Sequence, residues 1–162
     1  MQIFFVDEDP YKAAQALHDI HVRKQIVETA QILSTNLRLM FDGEIVDELY
    51  KSYNPNHPVT KWARESYNNF MWTYYHFRAL LEEYSYRTGK IHKSYEKYSI
   101  LKWLIHNKIN KDIFPKKEIT PLLAVKDAAC IISNDPVETY RNYYRKHKLF
   151  FETWGEAKWS KR

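Results

Sequence analysis

Apolar positions along the chain recur with a helical spacing, broken by short turns. The first six residues, "MQIFFV", form a continuous apolar run of strand type, too isolated to imply a sheet. "DEDP" then supplies a helix start: Asp9 is a suitable N-cap and Pro10 sits where a missing N–H costs nothing. Helical spacing continues through Ile26, Ala30, Leu33, Leu37 and Met40 and ends near Asp42-Gly43. A shorter helix fits "EIVDELYKSY", and the turn "NPNHP" follows it. A long helix is predicted from about Pro58 to Thr88, closed by Gly89. Trp62, Phe70, Phe77, Leu81 and Tyr84 make one stripe along it, while Met71, Trp72, Tyr75 and Tyr86 occupy other faces. A helix apolar on several sides is surrounded by others, so this one is expected at the centre. "HKSYEKYSILKWLIHNK" predicts another helix and "INKDIFPKKEITP" a loop. "LLAVKDAACIIS" fits either a buried helix or a strand, with helix favoured, and Asp135-Pro136 opens a last helix over "VETYRNYYRKHKLFF". The expectation is an all-α fold over residues 1–162, a single compact domain of five or six helices around a long central one, with a short extended N-terminal segment.

Composition sharpens this picture only a little. A hydrophobic share of 44% and an aromatic share of 16% describe a globular chain, and 3 glycines and 6 prolines leave room for long regular elements. No stretch of about 20 apolar residues offers a membrane span, and no leader segment is expected. The lone Cys130, in an apolar run, fits a core residue of a reducing, cytoplasmic compartment. A net charge of +5 and a pI near 9.1 tilt partners toward anions such as nucleic acid or a nucleotide, although 20 acidic residues are interspersed. Gly-rich phosphate loops, CxxC pairs, HExxH helices and Ser-centred elbows are absent, so neither a metal nor a cofactor is expected.

Four groups of residues carry candidate chemistry. On the first helix His21, Lys24 and Glu28 fall on one stripe, suited either to acid–base or covalent chemistry or to a solvated face. Asp19 lies toward the apolar side, where a carboxylate needs a partner. In the turn, Asn56 and His57 sit between Pro55 and Pro58 at a helix start, a seat for a phosphate or a simple cap. After the long helix, Arg87, Lys90, His92 and Lys93 cluster with interleaved tyrosines, which fits phosphate and base contact as well as ordinary dipole compensation. In the last helix Tyr140, Tyr144, His147 and Phe151 share one face, read as core, with Arg141, Arg145 and Lys148 on its edge. That edge, with Trp154 and Trp159 in the tail, is the better candidate for nucleic acid.

Taken together, "MQIFF", "LHDIHVRKQIVE", the "YNPNHPVTKW" turn and helix, and the aromatic-basic C-terminus resemble the pyrimidine-dimer DNA glycosylase/AP-lyase family of bacteriophages and some bacteria. Uncharacterised phage proteins with a "DEDP" start and "GKIHK"-like segments are similar too. The resemblance implies an all-helical enzyme that binds damaged duplex DNA, flips a nucleotide out and attacks the sugar C1′ with its N-terminal α-amine, forming a Schiff base. An α-amine of pKa near 8 is partly neutral in the cell, and extrusion exposes the otherwise shielded sugar carbon. The bulky Gln2 implies that Met1 is retained and supplies the amine. Arg23-Lys24 stand where the family pattern leads one to expect an arginine–glutamate pair, which passes the carboxylate role to Glu28 or Asp19 and leaves Arg23 for phosphate. Two other readings stay open: a non-catalytic DNA- or nucleotide-binding protein on this scaffold, and an enzyme acting on a free modified nucleotide. His57 is expected to face His21 and Glu28.

Overall fold

The computed structural model describes residues 1–148. Its helices are α1 (Pro10–Ala16), α2 (Asp19–Met40), α3 (Glu44–Asp47), α4 (Pro58–Glu65), α5 (Tyr67–Thr88), α6 (Tyr95–Lys108) and α7 (Pro136–His147). Single 3₁₀ turns stand at Lys111–Ile113 and Ala128–Cys130. The described residues contain no sheet, only an isolated bridge between Ser66 and Lys116, so the fold is all-α. α5 is the central helix, packed against α1, α2 and α4. None of the described helices is long and apolar enough to cross a membrane.

Two helices that the spacing predicts as continuous are broken, and both breaks have tertiary causes. Leu17 and His18 are extended between α1 and α2. The freed groups there find distant partners. The His18 N–H donates to Tyr144 Oη at 2.9 Å, and Arg87 donates to the Leu17 and Gln15 carbonyls at 2.7 and 3.0 Å. The second break is at Ser66, fully buried and extended, whose Oγ caps α5 by accepting from Asn69 N–H at 3.0 Å. Residues 116–120 fill that gap: Tyr67 N–H donates to the Lys116 carbonyl, and Asn69 exchanges hydrogen bonds with Thr120. Side chains from other elements repay the broken backbone bonds, so periodicity carries no trace of either break.

Two further differences are smaller. The helix predicted over "EIVDELYKSY" shrinks to the single turn α3, and "LLAVKDAACIIS" is irregular apart from its 3₁₀ turn. The N-terminal run is extended, as its composition suggests. Ile3, Phe4, Phe5 and Val6 are all buried, with Phe5 stacked on Trp72 at 4.4 Å and Phe4 edge-on to Tyr144 at 5.2 Å. Arg141 ties the segment down, donating to the Val6 carbonyl at 2.8 Å. Burial of about 2 kcal/mol per large side chain is enough to thread this strand through a helical core. Its beginning, Met1 and Gln2, is thereby fixed beside α2.

Candidate functional site

The first two residues emerge against the middle of α2. Glu28 Oε2 accepts from the Gln2 backbone N–H at 2.8 Å and from Gln25 Nε2 at 3.2 Å. Covalent geometry puts the α-amine of Met1 roughly 3 Å from that Gln2 nitrogen. The Met1 side chain is held separately, its sulfur accepting from Thr60 Oγ1 at 3.1 Å in the first turn of α4. At the start of that helix His57 is the N-cap, and its Nδ1 accepts from Val59 N–H at 3.2 Å. Partial burial lowers the His57 pKa, the amino terminus and Lys126 add to this, and Glu28 opposes them. The turn residue is therefore a cap that also feels the charges of the chain's amine and of Glu28.

His21 enters from the first turn of α2 and is held by α7. Its Nδ1 lies 2.6 Å from Tyr144 Oη. That hydroxyl also accepts from His18 N–H, and the tautomer of His21 decides which of the two groups donates in the bond between them. Burial, with Lys148, His18 and Lys24 nearby, lowers the His21 pKa to about 4. The ring is neutral at physiological pH.

Met1, Gln2, His21 and Glu28 line a cleft of about 270 Å³, edged by the amines of Lys24, Lys126 and Lys148. Lys148 Nζ sits 5.9 Å from the centre of the Phe4 ring and 5.7 Å from that of Tyr143. Burial pushes the Lys148 pKa down; Lys126 and Lys24 act the same way, against Glu28. Two of these lysines adjoin a polar clasp. Asp127 accepts from Lys146 at 2.8 Å, from His147 Nε2 at 2.7 Å and from Ala129 N–H at 3.0 Å. These bonds hold its carboxyl well below the usual range. Cys130 Sγ joins Asp127 and His147 in a group of possible metal ligands lying within 4.8 Å of one another, although Lys146 already neutralises the carboxylate.

The remaining candidates are spread over other surfaces. Asp19 faces away from the amine and pairs with Arg87 at 2.7 Å. Arg87 is committed further, to Glu83 at 2.7 Å and to the two carbonyls of the α1–α2 break. Arg23, Arg87 and Lys90 line a second cleft with Asp19. His92 stands near Arg23 and is edge-on to Tyr84 at 5.1 Å; its Nδ1 accepts from Ser94 N–H. Lys93, Asn56 and Arg145 are exposed. Arg141 serves the N-terminal segment, bonded to Val6 and 3.5 Å from Asp7. Trp154, Trp159 and Phe151 lie outside the described residues. Sequence reasoning passed over Gln25, Lys126 and the hydroxyl of Tyr144. A lone charge in the apolar run "LLAVKDAAC" was the available signal for Lys126; nothing in the spacing marks Tyr144 apart from its neighbours.

The geometry brings Met1, His21, Lys24, Glu28 and Lys148 to one cleft, a constellation fit for an amine nucleophile beside a carboxylate and a cationic edge. No curated protein and no solved structure matches the chain. A family model, described as pyrimidine dimer DNA glycosylase, matches residues 1–97. The match takes in Met1, His21, Lys24, Glu28, His57 and all of the second cleft, while Lys126, Tyr144 and Lys148 lie beyond it. The match covers more than half of the 162 residues, and the chain belongs to the pyrimidine dimer DNA glycosylase family.

Proposed function

We propose that this protein is a DNA glycosylase/AP lyase acting on a damaged or modified pyrimidine in duplex DNA, in the cytoplasm of a bacterial or phage-infected cell, with the Met1 α-amine as its nucleophile. The observation that carries the reading is the Glu28 carboxylate anchored on the Gln2 N–H, one residue from that amine. The neutral amine attacks C1′ of the extruded nucleotide; the C1′–N bond breaks and its electrons leave with the base, which takes up a proton. Loss of the amine proton and opening of the sugar ring give the Schiff base. Glu28 is placed to take protons from the amine and to stabilise the cationic iminium. His21, neutral at physiological pH, hydrogen-bonds the sugar or its phosphate in this reading. Lys24, Lys126 and Lys148 supply charge for the flanking phosphates.

Borohydride reduction on abasic-site duplex tests this directly. It should trap a covalent complex whose adduct maps to the amine of Met1, and a one-residue N-terminal extension should abolish trapping. An adduct on Lys24 transfers the role to a side-chain amine. Folded protein that gives no adduct, but binds DNA with affinity falling by roughly 0.9 log unit per phosphate contact per tenfold salt, is a binding module instead.

A further inference from the structure

The clasp at the end of α7 lies beyond the residues of the family match, and the amine chemistry makes no use of it. Two short pieces of chain build it. Asp127 is the N-cap of the 3₁₀ turn Ala128–Cys130: its Oδ1 accepts from Ala129 N–H and its carbonyl from Cys130 N–H, both at 3.0 Å. Those bonds fix the turn and leave Oδ2 for α7, where it meets His147 Nε2 at 2.7 Å and Lys146 Nζ at 2.8 Å. The His147 ring lies against that of Tyr143 one helical turn earlier, with centroids 5.0 Å apart, which limits its orientation. Cys130 Sγ, a carboxylate oxygen of Asp127 and a ring nitrogen of His147 all fall within 4.8 Å of one another. Cys130 closes the inner side, being buried, while the side chains of Asp127 and His147 are 25% and 36% exposed and leave a path in from solvent.

We propose that Asp127, Cys130 and His147 bind a single borderline-soft divalent cation, Zn²⁺ above all, with the fourth position taken by water. Thiolate sulfur, imidazole nitrogen and carboxylate oxygen are the donors such an ion prefers. They hold it at about 2.0–2.3 Å, so the ligand atoms of one tetrahedral ion stand roughly 3.3–3.8 Å apart. Small side-chain shifts bring the three atoms to that spacing; the largest opens the His147–Asp127 contact by roughly half an ångström as the ion takes the place of the hydrogen between them. The imidazole then meets the ion with a bare Nε2 and keeps its hydrogen on Nδ1. The Cys130 thiol gives up its proton to solvent as the Sγ–metal bond forms. Lys146 is the competitor for Oδ2. Its side chain is 57% exposed, and a solvent-screened pair yields readily to a doubly charged ion, whose charge the two anionic ligands balance. In the sequence only Asp127 and Cys130 stand together; His147 arrives with α7, which is why no metal motif is visible there. An ion here ties the turn that follows Lys126 to the helix end that precedes Lys148, and so steadies two amines of the cleft edge. The site itself does not rest on the glycosylase reading.

Absorption spectroscopy of the reduced full chain with Co²⁺, then Zn²⁺, tests the site. Cys130 is the sole cysteine of the chain, so a sulfur-to-cobalt charge-transfer band can come from no other residue. The expected result is that band together with visible d–d absorption of tetrahedral strength, saturating at one Co²⁺ per chain and lost when Zn²⁺ displaces it. Asp127→Asn and His147→Ala change side chains at the surface of the fold, and each should weaken Zn²⁺ about tenfold or more in competition with a chelating dye. Lys146→Ala should act in the opposite direction and tighten Zn²⁺ about threefold, because the competitor for Oδ2 is gone. Zn²⁺ should raise the Tm of the parent and leave that of His147→Ala unmoved. Absence of the charge-transfer band, Zn²⁺ affinity unchanged in both ligand variants, or looser binding in Lys146→Ala would each overturn the assignment. Borohydride trapping run with a chelator measures the amine chemistry without the ion, so failure here and failure of that chemistry are read separately.

Discussion

The two clefts on either side of Ile20 are built in opposite ways. The amine cleft collects groups from the N-terminus, α2, the segment before the second 3₁₀ turn and the end of α7, and three of its charges are lysine amines at an open edge. Among the described residues the second cleft is made by α2, the end of α5 and Lys90 just beyond it, and its floor is a network in which Arg87 serves two carboxylates and two carbonyls. An assembly of distant pieces can bring several like charges to one edge. A closed network instead fixes the joint between two helices. Disturbing the first should therefore change chemistry, and disturbing the second should change stability.

The largest effect should come from Arg87→Ala. It takes the Arg87 guanidinium from Glu83, whose side chain is only 8% exposed, and strips two carbonyls at the α1–α2 break. Removing one partner of a largely buried pair costs about 3–5 kcal/mol, and for a chain of this size each kcal/mol lowers Tm by about 2–4 °C. Calorimetry should show a drop of roughly ten degrees. A change of only one or two degrees would mean that the network is ornamental and the contrast between the clefts is false.

Glu28→Gln is the converse. Glutamine can still accept from the Gln2 N–H, so Tm should stay within a few degrees. The negative charge beside the amine is lost, and the rate of borohydride trapping on abasic duplex should fall about a hundredfold, equivalent to about 2.7 kcal/mol. A rate within threefold of the parent would remove Glu28 from the chemistry and leave it an anchor for the N-terminal strand.

What the sequence made legible follows the same division. Helices α2, α5, α6 and α7 announce themselves through caps, prolines and apolar stripes, and the His21–Lys24–Glu28 stripe is visible because all three share one helix. The breaks at Leu17-His18 and Ser66 are invisible because their hydrogen bonds come from residues about 50 to 130 positions away. Asp19 and Arg87 each looked chemically available in the sequence, since nothing local shows that 68 residues separate two halves of one ion pair. Tyr144 reads as core, which it is, being fully buried; only three dimensions show that its hydroxyl meets Nδ1 of His21.

Acid should weaken the fold through histidines held neutral. Burial lowers His76 to about 4, against the raising effect of its hydrogen bond with the Pro10 carbonyl, and His21 is lowered to about 4 as well. Between the unfolded pKa near 6.5 and the folded value, the unfolded chain binds more protons, so stability is full above that window and falls as pH drops through it. At pH 5 the loss is about 2 kcal/mol for each such histidine, seen as a lower denaturation midpoint than at pH 7. His21→Asn should remove its share of the slope and slow trapping; His76→Gln should remove a similar share and leave trapping nearly unchanged. If His76→Gln slows trapping as much as His21→Asn does, the amine cleft is not separable from the core beneath it.

The smallest effect is reserved for His57, where capping and chemistry overlap. Its Nδ1 is spent on Val59 N–H, a bond that asparagine can also accept, so His57→Asn should keep Tm within a few degrees. Burial, the amino terminus and Lys126 keep the ring on the neutral side, so its contribution is not a fixed positive charge. What asparagine cannot supply is a ring nitrogen that titrates within the electrostatic reach of the amine and Glu28 as the Schiff base forms. Trapping should fall about tenfold, equivalent to about 1.4 kcal/mol, with the loss greatest below neutral pH, where a proton acceptor near the amine matters most. An unchanged rate at every pH would make His57 a helix cap and nothing more, and would confine the amine cleft to the groups carried by α2, the N-terminus and the lysine edge.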